Sequence, residues 1–412
     1  MAPRTIASAP ALRRSLGLPL LVLYGVGITI GAGIYVLIGA VAGYAGRYAP
    51  WSFVLAAIAM SFTVGSYIEL ATRFPVSAGE AAYVRAAFGS RIASTTTGLL
   101  SIAIGIVSSA TVALGAAGYI GQFVALPPSV IVIAVVGALS LVAAWGILES
   151  VLLAGLFTLV EVGGLLIIVG AALYTGLPFA DIIITPPPMD AAVLSGIGFA
   201  SLLAFFAFIG FEDLANVIEE AKNPRRDIPR AMVWTLVIST LLYIAVAAIA
   251  VAAVPAAELA ASSAPLSLVF QAIAGISPLT ISLIAIVATL NTILAQMTMA
   301  ARVVYGMARQ GDLPRAAGHV NARTATPLVA TALIAAGTVA LALTVPFERL
   351  AESTSLATLA VFASVNLSLL KLRYRRAVPH AAPMANHVRV PLIVPIAGLA
   401  CCLAMMAATA LG

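Results

Sequence analysis

The stretch Gly25-Val-Gly-Ile-Thr-Ile-Gly-Ala-Gly-Ile-Tyr-Val-Leu-Ile-Gly39 decides how the chain is read. As a dinucleotide fingerprint it fails, because the spacing is GxGxxxG and no strand precedes it. No charge occurs from Ser15 to Gly46, a run about twice the length of a signal-peptide core, so it reads as an uncleaved membrane span. Gly27, Gly31 and Gly39 suit close helix packing. Gly31-Ala32-Gly33, at the centre, suits something else. Two glycines there weaken the helix by about 1 kcal/mol each, and a break would leave carbonyls at the end of one half-helix and amides at the start of the next.

The surrounding sequence sets the solvent. Of 412 residues 62% are apolar and 9% charged, which excludes both an ordinary soluble globule and a disordered chain. A net charge of +6 in a soluble protein would raise nucleic-acid binding, but here the basic residues mark topology, as shown below. Cys401 and Cys402 are adjacent, so there is neither a disulfide framework nor a metal spacing. No Walker loop, HExxH or GxSxG occurs, and His319, His380 and His387 fall in segments expected to be solvated. No cofactor, metal, nucleic acid or enzymatic reaction is expected.

A bilayer core of about 30 Å needs about 20 apolar residues per helix. Cut on that ruler, the uncharged intervals give eleven spans near 16–43, 50–72, 92–119, 129–147, 151–175, 194–218, 231–253, 278–305, 327–345, 353–370 and 391–411. Pro127-Pro128 places a tight turn between spans three and four. With the amino terminus and its Arg4, Arg13 and Arg14 inside, all but Arg47 and Arg349 of the 21 Lys and Arg residues lie in inner segments. Positive charge resists translocation, so this asymmetry supports both orientation and span count. The expectation is a multi-pass protein of the inner cell membrane, N-terminus cytoplasmic, forming one membrane domain over 1–412.

The sixth span carries a counterpart to the first. Phe205-Phe-Ala-Phe-Ile-Gly-Phe-Glu-Asp213 sets Gly210 beside Glu212 and Asp213, ahead of the surface run Glu219-Glu-Ala-Lys-Asn-Pro-Arg-Arg226. Acids within a span face protein or a water-filled cavity rather than lipid; a satisfied carboxylate that locks helix packing is the other reading of Glu212. Two interrupted spans, one opening each half of the chain, point to inverted repeats, with 16–175 (spans one to five) as the first, 194–371 (spans six to ten) as the second, and 391–411 as an extra span. Amides opening a half-helix suit a carboxylate, and carbonyls closing one suit an ammonium group. A zwitterionic amino acid matches both.

With these residues in view, the chain resembles the amino acid-polyamine-organocation superfamily, above all its bacterial amino acid permeases and cationic amino acid transporters. Besides the two broken spans, the resemblance rests on Phe74-Pro-Val-Ser-Ala-Gly-Glu-Ala-Ala-Tyr83, Lys222-Asn-Pro-Arg-Arg-Asp-Ile-Pro229, Arg302-Val-Val-Tyr-Gly-Met-Ala-Arg-Gln-Gly-Asp-Leu-Pro314, and Ala357-Thr-Leu-Ala360 leading to Leu372-Arg-Tyr-Arg-Arg376. It implies an all-α, five-plus-five inverted-repeat fold working by alternating access. Carried over by position, amides at Ala32 and Gly33 would hold the substrate carboxylate, with Gly31 permitting the bend. Carbonyls of Thr29, Phe206 and Ile209 would take the α-ammonium, the Phe206 ring would close as a gate, and Gly210 and Glu212 would complete the site. Asn291 and Thr292 are candidate wall residues. Such relatives commonly end with a twelfth helix, whereas this chain stops after the eleventh, which would leave its C-terminus outside.

The second departure lies in span five, where sodium-independent relatives often place a Lys and this chain has Glu161. It sits twelve residues beyond Glu149, about 18 Å along a helix, near the bilayer centre. A charge there costs about 2.5–3.5 kcal/mol on insertion scales, so the neutral carboxyl is the cheaper state. Glu161 either carries a proton between the two faces or serves as a permanently neutral hydrogen-bonding group. The leading expectation is a secondary amino acid carrier, by proton symport or exchange. A polyamine carrier or an exporter is the alternative, and a channel or a sensor without flux the reading from another class.

Overall fold

A computed structural model describes residues 16–75, 79–145, 150–218, 221–275, 277, 279–309, 311–321, 326–374 and 387–411. Arg4, Arg13, Arg14, Glu149, Glu219, Glu220, Arg375, Arg376 and His380 lie outside them. The protein is all-α, and among the described residues the β-type pairing is an isolated bridge between Leu16 and Ala221. Six helical runs there are long and apolar enough to cross a membrane: Leu18–Arg73, Arg91–Ile120, Gly155–Tyr174, Pro224–Ala253, Leu279–Ala308 and Phe347–Tyr374. Shorter apolar helices occupy Pro128–Ala144, Ala191–Phe206, Pro265–Ala274, Leu328–Thr344 and Ile393–Ala408.

The first run is not continuous. It divides into α1 (Leu18–Ile30), α2 (Gly33–Ala45) and, after a 3-10 turn at Gly46–Tyr48, α3 (Ala49–Arg73). There follow α4 (Gly79–Phe88), α5 (Arg91–Ile120), α6 (Pro128–Trp145), α7 (Ser150–Tyr174), α8 (Ala180–Ile184), α9 (Ala191–Phe206), α10 (Asp213–Asn216) and α11 (Pro224–Ala253). The remainder comprises α12 (Ala256–Ala261), α13 (Pro265–Ala274), α14 (Leu279–Arg309), α15 (Leu328–Thr344), α16 (Phe347–Tyr374) and α17 (Ile393–Leu411).

Local chemistry explains the boundaries. Proline occupies the first turn of α1, α3, α11 and α13, where its missing N–H removes no helical bond. Asp190 caps α9 by accepting from Ala192 N at 2.8 Å and Val193 N at 3.2 Å, and Ser90 caps α5 through Ala93 N at 3.2 Å. The Pro127-Pro128 turn falls where α6 begins.

Leu141, Leu159, Leu173, Leu241 and Leu333 point outward and are more than half exposed, as apolar side chains bathed in lipid would be. The interior is aromatic and polar together. Tyr67 packs edge-on against Phe211 and Phe362, with centroids 5.4 Å apart in both cases. Buried Glu69 of α3 receives the Arg373 guanidinium of α16, with Nε at 3.1 Å, and also accepts from Val390 N at 2.9 Å. Asn366 of α16 accepts from Ser66 Oγ at 2.6 Å and donates to Thr63 Oγ1 at 3.0 Å. In this way α3, α16 and the approach to α17 are tied by groups that would be expensive to leave unpaired inside a membrane protein.

These contacts place α1 between α7 and α11, and α2 against α9. The two interrupted helical pairs therefore pack against each other.

Candidate functional site

Helix α1 stops at Ile30 because Gly31 turns to φ 21°, ψ −131°, and Ala32 leads into α2. Helix α9 stops at Phe206, and Ala207 to Glu212 run as turns before α10. Bonds from Ala207 N to Ala204 O, Phe208 N to Phe205 O and Ile209 N to Phe206 O, at 3.0–3.1 Å, wind this break tighter than an α-helix. It ends at Gly210, whose φ of 125° is closed to residues with a side chain. The Gly210 amide donates instead to Glu212 Oε2 at 2.8 Å, so the acid two residues on supplies an acceptor that the helix does not.

The two breaks touch. A Cβ on Gly33 would lie 2.6 Å from Ala207 Cα, and one on Gly210 3.1 Å from the Ile28 carbonyl carbon. Backbone thus meets backbone, which only glycine allows at these positions.

A residue with no distinguishing sequence signal joins them. The Tyr243 hydroxyl of α11 lies 2.7 Å from both the Thr29 and the Ala207 carbonyl oxygens, one at the end of α1 and one just past the end of α9. Tyr243 is fully buried, its ring against Phe208 and Phe53. Eleven tyrosines occur in the chain, and spacing does not single this one out.

Helix α14 reaches the other face of the first break. Thr292 Oγ1 accepts from Ala32 N at 2.9 Å, and neighbouring Asn291 donates through Nδ2 to Glu161 Oε1 at 3.0 Å. Glu161 is fully buried and its Oε2 has no hydrogen-bond partner. Its main-chain carbonyl accepts from the Tyr35 hydroxyl, and the Tyr35 carbonyl accepts from Tyr119, both at 2.6 Å. Two adjacent residues of α14 therefore hold the α1–α2 break and the span-five acid at once.

The residues expected at the site fall at the following positions. Gly31 and Ala32 form the first break, flanked by Thr29 in the last turn of α1 and Gly33 at the start of α2; Ile209, Gly210 and Glu212 lie in the second, after Phe206 ends α9; Glu161 is linked to the first through adjacent residues of α14. Thr29, Phe206 and Ile209 are buried. The Thr29 carbonyl is shared with Tyr243, and the Ala32 amide is capped by Thr292 rather than left open.

Beyond the second break, Glu212 and Asp213 line a cavity of about 60 Å³ with Glu80, Ser101, Gln296 and Thr358. Glu80, on α4, accepts from the Tyr67 hydroxyl at 2.9 Å. Burial raises its carboxyl above the ordinary value; bonds from its backbone and from Tyr67 offset part of the rise.

The start of α2 and the ends of α1 and α9 thus bring partial charges of opposite sign within one small region. The amino acid permease family profile matches residues 16–412. The chain belongs to that family. Over 95% of its length it is 30% identical to a branched-chain amino acid permease, BcaP, of Bacillus subtilis, covering 87% of that protein. It is 30% identical over 88% of its length to a vacuolar cationic amino acid transporter of Arabidopsis thaliana, of which it spans 60%. An uncharacterized transporter of Mycobacterium tuberculosis is 32% identical over 89% of the chain and 83% of its own length. Membership of a permease family identifies a membrane transport protein rather than an enzyme.

Proposed function

We propose that this permease is a secondary amino acid transporter that binds its substrate between the two helix breaks and works by alternating access. The observation that carries the proposal is the meeting of the breaks: α2 opens and α1 and α9 close within contact of one another, bridged by Tyr243. The substrate carboxylate is read by amides at Ala32 and Gly33, and the α-ammonium by carbonyls at Thr29, Phe206 and Ile209, with Phe206 as the gate. For the carboxylate to reach Ala32 N, Thr292 Oγ1 gives up that amide, which makes Thr292 a local stand-in for substrate. The relatives named for branched-chain and cationic amino acids support an amino acid as cargo.

The chain is read as eleven spans in the inner cell membrane, N-terminus cytoplasmic, with spans one to five and six to ten as inverted repeats. Transport is coupled to protons through Glu161. A buried carboxyl with one oxygen paired to Asn291 and the other unpaired is inexpensive when protonated and costly when ionised, so it is well placed to follow a change in solvent access. Polyamines lack the carboxylate that the α2 amides would bind.

Purified protein in proteoliposomes preloaded with one amino acid should show saturable counterflow of the labelled form. Absence of counterflow across the twenty amino acids, in vesicles where folding is verified, would overturn the proposal; non-saturable flux would indicate a channel.

A further inference from the structure

Away from the helix breaks, α5, α14 and α15 enclose a groove whose lining is entirely apolar and whose volume is about 360 Å³. An apolar cavity of about 150 Å³ already stays dry and takes up benzene, so this one suits hydrocarbon rather than water. Its floor includes Val304 of α14 and Ile334 of α15, 6% and 1% exposed, and its lips are Leu99, Val329 and Leu333, all well exposed. Leu333 is among the leucines that point outward from the fold. The groove therefore opens toward the bilayer.

Its two ends differ in chemistry. On α5 the groove runs from Leu99 to Ile106, about 10 Å along the helix, against the roughly 15 Å that half a bilayer core measures. At the deep end α5 and α15 close on each other, since a Cβ on Gly337 would lie 3.2 Å from Ile106 Cγ2. At the other end are Leu313, Pro314 and the 3-10 turn Arg315–Gly318. Arg315 stands between the lining residues Pro314 and Ala316, is exposed, and among the described residues belongs to no ion pair. Just before it, Asp312 is held by Arg85 at 3.3 Å and by Arg91 at 2.6 Å. Residues 313–321 add no further acid, so the mouth sets three cations against one carboxylate. A hydrocarbon slot along the helices with a cationic mouth complements a lipid that has an acyl tail and an anionic head. A zwitterionic lipid offers the tail, but its own ammonium offsets the phosphate.

We propose that the groove between α5, α14 and α15 is a binding site for an anionic phospholipid, with an acyl chain over Val304 and Ile334 and the headgroup phosphate on Arg315. Val303, next to the floor residue Val304, lines the cavity on the other side of α14. The bound lipid thus braces from outside the helix that carries Asn291 and Thr292.

The test titrates the purified full-length protein with dioctanoyl phosphatidylglycerol and, separately, with dioctanoyl phosphatidylcholine. Binding is read by native mass spectrometry and by thermal stabilisation, neither of which depends on transport. Phosphatidylglycerol should bind about fivefold tighter, the equivalent of the ~1 kcal/mol that a basic residue contributes at an anionic surface. Arg315→Gln should abolish that preference and keep the binding of phosphatidylcholine. Ala316→Trp, which brings a ring into the groove from an exposed position, should weaken both lipids. Arg226→Gln, which removes another exposed cation in the first turn of α11, should leave the preference intact. Equal affinity of the wild type for the two lipids, or binding of neither, would overturn the proposal. A preference that survives Arg315→Gln, or that Arg226→Gln removes equally well, would place the headgroup elsewhere and overturn it too. Full binding of both lipids by Ala316→Trp would do the same for the acyl chain.

Discussion

Replacing Tyr243 by Phe removes one oxygen and leaves the ring, whose neighbours Phe208 and Phe53 lie with centroids at 5.0 and 5.6 Å. Packing therefore changes little, and the effect comes from two buried carbonyls that lose their shared donor at 2.7 Å. A buried acceptor left without its partner costs about 1–3 kcal/mol. If the hydroxyl aims the Thr29 carbonyl and sets the end of α9 for the substrate ammonium, the same energy appears in binding, and KM rises about 5- to 150-fold at 1.4 kcal/mol per tenfold. Thermal unfolding of the purified protein and the concentration dependence of counterflow measure the two effects separately. Loss of stability with an unchanged KM would reduce Tyr243 to a structural tie. A variant matching the wild type in both would refute the clamp between the breaks.

Three further outcomes are expected. Glu161→Gln, which keeps an acceptor for Asn291, should abolish accumulation driven by a pH gradient and retain counterflow; unchanged pH-driven accumulation would end the proton-carrier role. Gly33→Ala should abolish transport, since its Cβ would meet Ala207 Cα at 2.6 Å and overpacking of this kind costs about 1–3 kcal/mol or more, concentrated where the breaks meet; wild-type uptake by folded Gly33→Ala protein would refute the close approach. Because burial raises the Glu80 carboxyl above its ordinary value, the folded protein holds that proton more tightly than the unfolded chain. Its contribution to stability is complete below the unfolded value of about 4.3 and is lost as pH rises through the folded one. The melting temperature of Glu80→Gln relative to wild type should therefore increase from pH 4 to pH 7.5, and a difference flat with pH would contradict it.

The sequence was most legible where a local rule sufficed. Uncharged intervals mark helices because the bilayer demands length and apolarity together, and Pro127-Pro128 marks the start of α6 because proline has no N–H to donate. Gly31-Ala32-Gly33 and Phe205 to Asp213 show breaks because glycine beside small or acidic residues is out of place in a span. What stayed hidden depends on partners far away in the chain. Glu69 is an acid within a span with no local excuse until Arg373 of α16 meets it. Tyr243 looks like an ordinary residue of α11 until the packing of α1 against α11 brings it to the breaks, and Thr292, a candidate wall residue, is shown to reach the Ala32 amide only once α14 is in place. Glu80 reads as part of a connecting segment, yet α4 folds so that its side chain reaches Tyr67 and the acidic cavity. The short helices α8, α12 and α13 lie in connections too brief for periodicity to define.

The most direct measurement is a density map of the purified permease with a bound amino acid. The expected result places the ligand carboxylate at the start of α2, on the amides of Ala32 and Gly33, and its ammonium at the carbonyls that end α9. A ligand seated elsewhere, with Thr292 still on Ala32 and no group between the two breaks, would contradict it.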